Sequence, residues 1–148
     1  MTPDQDEVKA WLQKASSDLF SAEILLDHDP PVPETAAFHC QQAVEKTLKA
    51  LLVWLKIPFE KVHSLTYLLD LGEAECPGLT SLRESVEVLA PYAVEIRYPG
   101  EILEISPFEA GKALDTAKEV WRFVLELLPP ELYLPLPGEE IDNQKVKG

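Results

Sequence analysis

Apolar residues in this chain recur at intervals of three and four, the spacing of one face of an α-helix. Val8, Leu12, Ala15, Leu19, Ala22 and Leu26 follow this spacing, with Trp11 on the same side. They predict an amphipathic helix from Thr2 to Asp27. Its start carries three signals: Thr2 as N-cap, Pro3 at the first helical position and Gln5 closing a capping box. The stretch DHDPPVPE is a hinge, because its prolines cannot continue a helix.

A second helix is predicted from Glu34 to Lys56, with a core stripe of Ala37, Cys40, Val44, Leu48, Leu51 and Leu55. Ala36, Ala43 and Ala50 form another stripe that carries only methyl groups, so a neighbouring helix can approach closely. Two apolar stripes predict a central helix, touched on several sides. Pro58 ends it, and a short helix over Ser64 to Leu71 follows. GEAECPG reads as a loop. Ser81 and Glu84 read as a capping box opening a fourth helix with Leu82, Val86 and Leu89, kinked at Pro91 and fading near Arg97. Ser106, Pro107 and Glu109 open the last long helix in the same style. Its stripe is Ala110, Ala113, Leu114, Ala117, Val120, Trp121, Val124 and Leu128, stopped by Pro129 and Pro130. No segment alternates as a strand. The expectation is an all-α up-and-down bundle of four to five helices over residues 1–130. A proline-containing tail follows over 131–148, more apolar at Leu132, Tyr133, Leu134 and Leu136 than a disordered end.

At 148 residues the chain is one ordinary domain, long enough to fold without disulfides or metal. No apolar run reaches the ~18 residues of a membrane span. MTPDQDEVKAW has neither the basic start nor the apolar stretch of a secretory signal, so a cytoplasmic location without membrane contact is expected. Twenty-six acidic residues against 13 basic ones give a net charge of −13, which repels phosphate backbones and argues against duplex DNA. A small basic pocket remains compatible with one nucleotide or a local RNA segment. Cys40 and Cys76 lack CxxC spacing and read as free thiols.

Candidate chemistry centres on the second helix. His39, Gln42, Lys46 and Lys49 fall within about 80° on a helical wheel, flanked by Gln41 and Glu45. Such a face is either solvated surface or a place where lysines meet phosphate and His39 moves a proton. His63 at a helix start reads as a local packing or capping residue. His39, Cys40, His63 and Cys76 lack the paired spacing of zinc ligands, so neither metal nor cofactor is expected. Arg97 beside Tyr98 at a helix end suits an anion with a base to stack on, or simply an ion pair with Glu95 or Glu101.

The order of these residues resembles a known family. Ala37-Phe38-His39 running through QQAVEKTLKALL, then His63-Ser64-Leu65 with Leu68-Leu69, then Arg97-Tyr98-Pro99, is similar to the HEPN domain pattern. Trp11, Ala15, Asp18, Leu19 and Ala22 in the first helix fit it, as do Glu109, Ala110, Ala113, Leu114 and Ala117 in the last. The resemblance spans about residues 5–129. It implies a bundle like the substrate-binding helical domain of nucleotidyltransferases, homodimerisation, nucleotide binding, and a nucleotidyltransferase partner, sometimes as a toxin–antitoxin pair.

Many members of that family are ribonucleases that use an Arg followed four to six residues later by His. Here the arginines are Arg83, Arg97 and Arg122 and the histidines are His28, His39 and His63, so every arginine follows the last histidine. Loss of a general acid–base group lowers rates roughly 10²–10⁴-fold. The expected function is therefore a non-catalytic module that binds a nucleotide or nucleotide-like molecule through His39, Gln42, Lys46, Lys49, Arg97 and Tyr98. A divergent ribonuclease using Arg97 with Tyr98 or His39, and a purely structural dimeric adaptor, are the alternatives.

Overall fold

The computed structural model describes residues 2–93, 98–101 and 104–136. Five α-helices carry the fold: α1 (Pro3–Asp27), α2 (Pro33–Trp54), α3 (Leu65–Glu73), α4 (Arg83–Glu87) and α5 (Pro107–Leu127). No strand occurs among the described residues. The all-α bundle expected from the apolar periodicity is what forms.

Local signals act where the sequence places them. The Thr2 hydroxyl accepts from the Gln5 N–H, and the Gln5 side chain accepts from the Thr2 N–H, completing the capping box of α1. Ser64 caps α3 and Ser106 caps α5, each hydroxyl accepting from the backbone N–H three residues on. α2 stops at Trp54, two residues earlier than expected. Lys56 enters the left-handed region at φ 59°, the Lys56 N–H donates to the Val53 carbonyl and the Ile57 N–H to the Leu52 carbonyl. That pair of bonds satisfies the last carbonyls in a Schellman arrangement, with lysine where glycine is usual.

The fourth helix departs from expectation. The chain already winds as a 3₁₀ helix over Pro77–Leu82, so Ser81 lies inside a turn and its hydroxyl donates to the Gly78 carbonyl instead of capping. α4 then spans only Arg83–Glu87, without a side-chain cap. Pro91 has no N–H to extend an α-ladder, and Ala90–Ala93 closes as a second 3₁₀ turn. Leu82, Val86 and Leu89 are nevertheless buried as the apolar spacing requires. Arg83 ties this region to α3 by donating to Glu73 and Asp70, and it also donates to Glu87 one turn along α4. At Gly72 an added Cβ would stand 2.7 Å from Leu79 Cδ1, so glycine permits the close approach of α3 to the 3₁₀ segment.

α2 is the central element, packed against α1, α3 and α5. The short 28–32 connection makes α1 and α2 antiparallel, with Trp11 level with Lys49 and Asp18 level with His39 and Lys46. Ala36, Ala43 and Ala50 are fully or almost fully buried. They neighbour His39 and Lys46, whose side chains reach α1, so the methyl stripe serves internal helix packing and is not an exposed docking stripe. The start of the tail joins the same core: Leu132 and Leu136 are buried with Trp121, Leu128 and the α1 leucines. Residues 137–148 lie outside the described residues.

Candidate functional site

The polar face of α2 is largely enclosed by the bundle. Gln41, Glu45 and Lys49 are buried, while His39, Gln42 and Lys46 are half-buried. Two buried carboxylates organise it.

The first carboxylate comes from α1. Asp18 falls in the apolar register between Ala15, Leu19 and Ala22, which carries it toward α2. Its Oδ1 accepts from His39 Nδ1 at 2.9 Å and its Oδ2 from Lys46 Nζ at 2.6 Å. Because an ionised carboxylate only accepts, the imidazole Nδ1 carries the proton and Nε2 is left for other partners. The Phe38 ring meets the His39 ring edge-on, with centroids 5.6 Å apart.

The second carboxylate is on α2 itself. Glu45 Oε2 accepts from Lys49 Nζ, one helical turn on, at 3.1 Å. Its oxygens also accept from His63 Nδ1, at 3.1 and 3.2 Å. The Glu45 side chain is 3% exposed and that of Lys49 6%, whereas His63 is 76% exposed. Lys49 Nζ also sits 5.2 Å from the centroid of the Trp11 ring, which favours a desolvated cation.

Of the residues read from the sequence, His39, Gln42, Lys46 and Lys49 share this strip. Gln42 Nε2 donates to Gln41 Oε1 at 2.7 Å, and the buried Gln41 Nε2 has no protein partner. Tyr98 is 72% exposed. Arg97 lies outside the described residues. Sequence reasoning missed Asp18 and Glu45 as organisers and underrated His63. The available signals were an acid inside the apolar stripe of α1 and the Glu45–Lys49 spacing.

Among the described residues no group of three or more His, Cys, Asp or Glu is placed to hold a metal ion. An apolar cavity of about 220 Å³ lies elsewhere, lined by Val88, Leu89, Tyr92, Lys112 and Ala113. It contains none of the sequence-predicted residues. Both cysteines are free. Burial, reinforced by the Asp18 charge, pushes the Cys40 thiol up to about 12. Between pH 9.0 and about 12 the unfolded chain therefore binds fewer protons at this position, so this thiol lowers stability as pH rises through that window. At pH 8, Ellman's reagent is expected to label the part-exposed Cys76 first and Cys40 only on unfolding. Labelling of Cys40 as fast as Cys76 in native protein would contradict this.

A model of the HEPN domain matches residues 8–127, most of the chain. The chain belongs to the HEPN domain family. The crystal structure of an archaeal HEPN homologue superposes with a TM-score of 0.63 at 24% identity, covering 81% of this chain and 96% of that one. At that identity the likeness concerns the HEPN fold, and the matched HEPN region takes in α2 and α5 whole and α1 from Val8 onward. No curated protein matches the chain. No described helix of this HEPN bundle is long and apolar enough to cross a membrane.

Proposed function

We propose that this HEPN protein is a non-catalytic module that binds a nucleotide or nucleotide-like ligand and acts, as a homodimer, with a nucleotidyltransferase partner, in a pair of toxin–antitoxin type. The observation that supports the reading is the strip along α2. Asp18 orients both His39 and Lys46, whose side chains remain 27% and 22% exposed. Pre-oriented donors of this kind lose little entropy when they meet a phosphate. In this reading Lys46 and His39 bind phosphate and Gln42 hydrogen-bonds sugar or base. The enclosed Lys49 acts through Glu45, holding the inner wall of the site. Arg97 adds a second cation, and Tyr98 stacks on the base.

The order of arginines and histidines along the chain weighs against ribonuclease chemistry of the Arg-to-His type. Burial of the alanine stripe removes one of the surfaces an adaptor role would use.

Calorimetric titration of nucleic-acid-free protein with ATP, GTP and short single-stranded RNA tests the binding claim. A saturable one-site heat with a nucleotide is expected, lost in Lys46→Ala and in Arg97→Ala. Flat isotherms with every ligand would overturn the reading, and unchanged affinity in both variants would overturn the site assignment.

A further inference from the structure

The Glu45–His63 pair has no part in the nucleotide site proposed above, and it joins one of the most enclosed side chains of the strip to an exposed one. A buried carboxylate, already paired with Lys49, reaches out to an imidazole that is mostly in solvent. An exposed histidine adds little to stability by such a bond. What the bond does fix is direction: Nδ1–H is committed to Glu45, so Nε2 is the free nitrogen.

Charge arithmetic then singles out the imidazoles. Across the strip, Asp18 and Glu45 cancel Lys46 and Lys49 one for one, so the set is neutral while both histidines are neutral. Glu60 and Lys61, the charged neighbours of His63 along the chain, also cancel. His39 faces Asp18 from α1 and Lys46 and Phe38 from α2. With these charges cancelled, an imidazole that takes up a proton gives the strip net positive charge. A protonated His63, with its Nδ1 arm held by a carboxylate, turns Nε2 into an oriented, charge-assisted donor.

We infer that His63, anchored by Glu45, is a further ligand-contacting residue that binds a phosphate group of the ligand as imidazolium, so that ligand binding is linked to proton uptake. This rests on the nucleotide-binding reading above and extends that site beyond α2 to the segment leading into α3. The ligand class is a phosphate monoester or polyphosphate.

The test is ATP titration by calorimetry at pH 6 and pH 8 for the wild-type protein, His63→Gln and His28→Gln. His28 is the control, since its Nδ1 donates to the Pro30 carbonyl outside the strip. The ionisation of ATP itself is common to all three proteins and cancels in their comparison. One linked proton changes affinity by up to about tenfold per pH unit. Wild type and His28→Gln are expected to bind at least about tenfold more tightly at pH 6 than at pH 8. His63→Gln should lose most of that difference while keeping the wild-type far-UV spectrum. If His63→Gln binds ATP with wild-type affinity at both pH values, this inference fails while the binding reading stands. If wild type binds ATP at neither pH, the binding reading fails and takes this inference with it.

Discussion

Replacing Glu45 by alanine is expected to lower the unfolding free energy by about 3 kcal/mol, because it strands a charged lysine inside the bundle. The Lys49 side chain is 6% exposed, and its one ion-pair partner among the described residues is Glu45 at 3.1 Å. The Trp11 ring softens the loss without replacing the carboxylate. For a chain of this length that corresponds to a fall in melting temperature of about 10 °C. The companion experiment separates stranded charge from lost packing. Glu45→Leu combined with Lys49→Met removes both charges at similar volume and is expected to recover most of the stability, since a buried pair as a whole contributes little. Urea unfolding at pH 7 reads both effects. A loss below about 1 kcal/mol in the single variant would mean that Lys49 finds water, and that the strip is more open than its burial indicates.

Trp121→Ala is expected to be at least as damaging, at about 3–5 kcal/mol. Trp121 is 1% exposed and is the largest fully buried side chain, on the face of α5 that joins the common core. Its removal leaves a cavity that neighbouring helices cannot close without sliding past one another. Phe108, on the first turn of the same helix but 70% exposed, is the contrast. Phe108→Ala is expected to change stability by no more than about 0.5 kcal/mol, as is usual at exposed positions. Chemical denaturation of the two variants side by side would settle the point, and equal losses would contradict the assignment of the core.

How far the sequence could be read depended on how local each feature is. The caps at Thr2 and Ser106 close over three residues and form as expected, and Ser64, read as the first residue of the short helix, caps it in the same way. The α5 stripe depends only on helical period, and its residues are buried with Leu114 partly so. Ser81 and Glu84 carry an equally good local pattern, yet winding begins upstream at Pro77 and leaves Ser81 no helix start to cap. The ends of α2 show the same dependence on context: Lys56 adopts the left-handed cap conformation that the sequence alone assigns to glycine.

The site divides along the same line. The wheel positions of His39, Gln42, Lys46 and Lys49 follow from the 3.6-residue period, so the sequence by itself determined that they share a face of α2. It determined the bundle as well, because apolar spacing, caps and proline stops agree along the whole length. Whether that face met water or protein was beyond it. The partners that decide the matter are 21 residues from His39, 28 from Lys46 and 18 from Glu45, separations over which helical periodicity carries no information. Only the packing of α1 on α2, and of the segment before α3 over Glu45, turned one lysine into an enclosed ion pair. The same packing left two histidines held by carboxylates, each with one nitrogen not committed to its carboxylate.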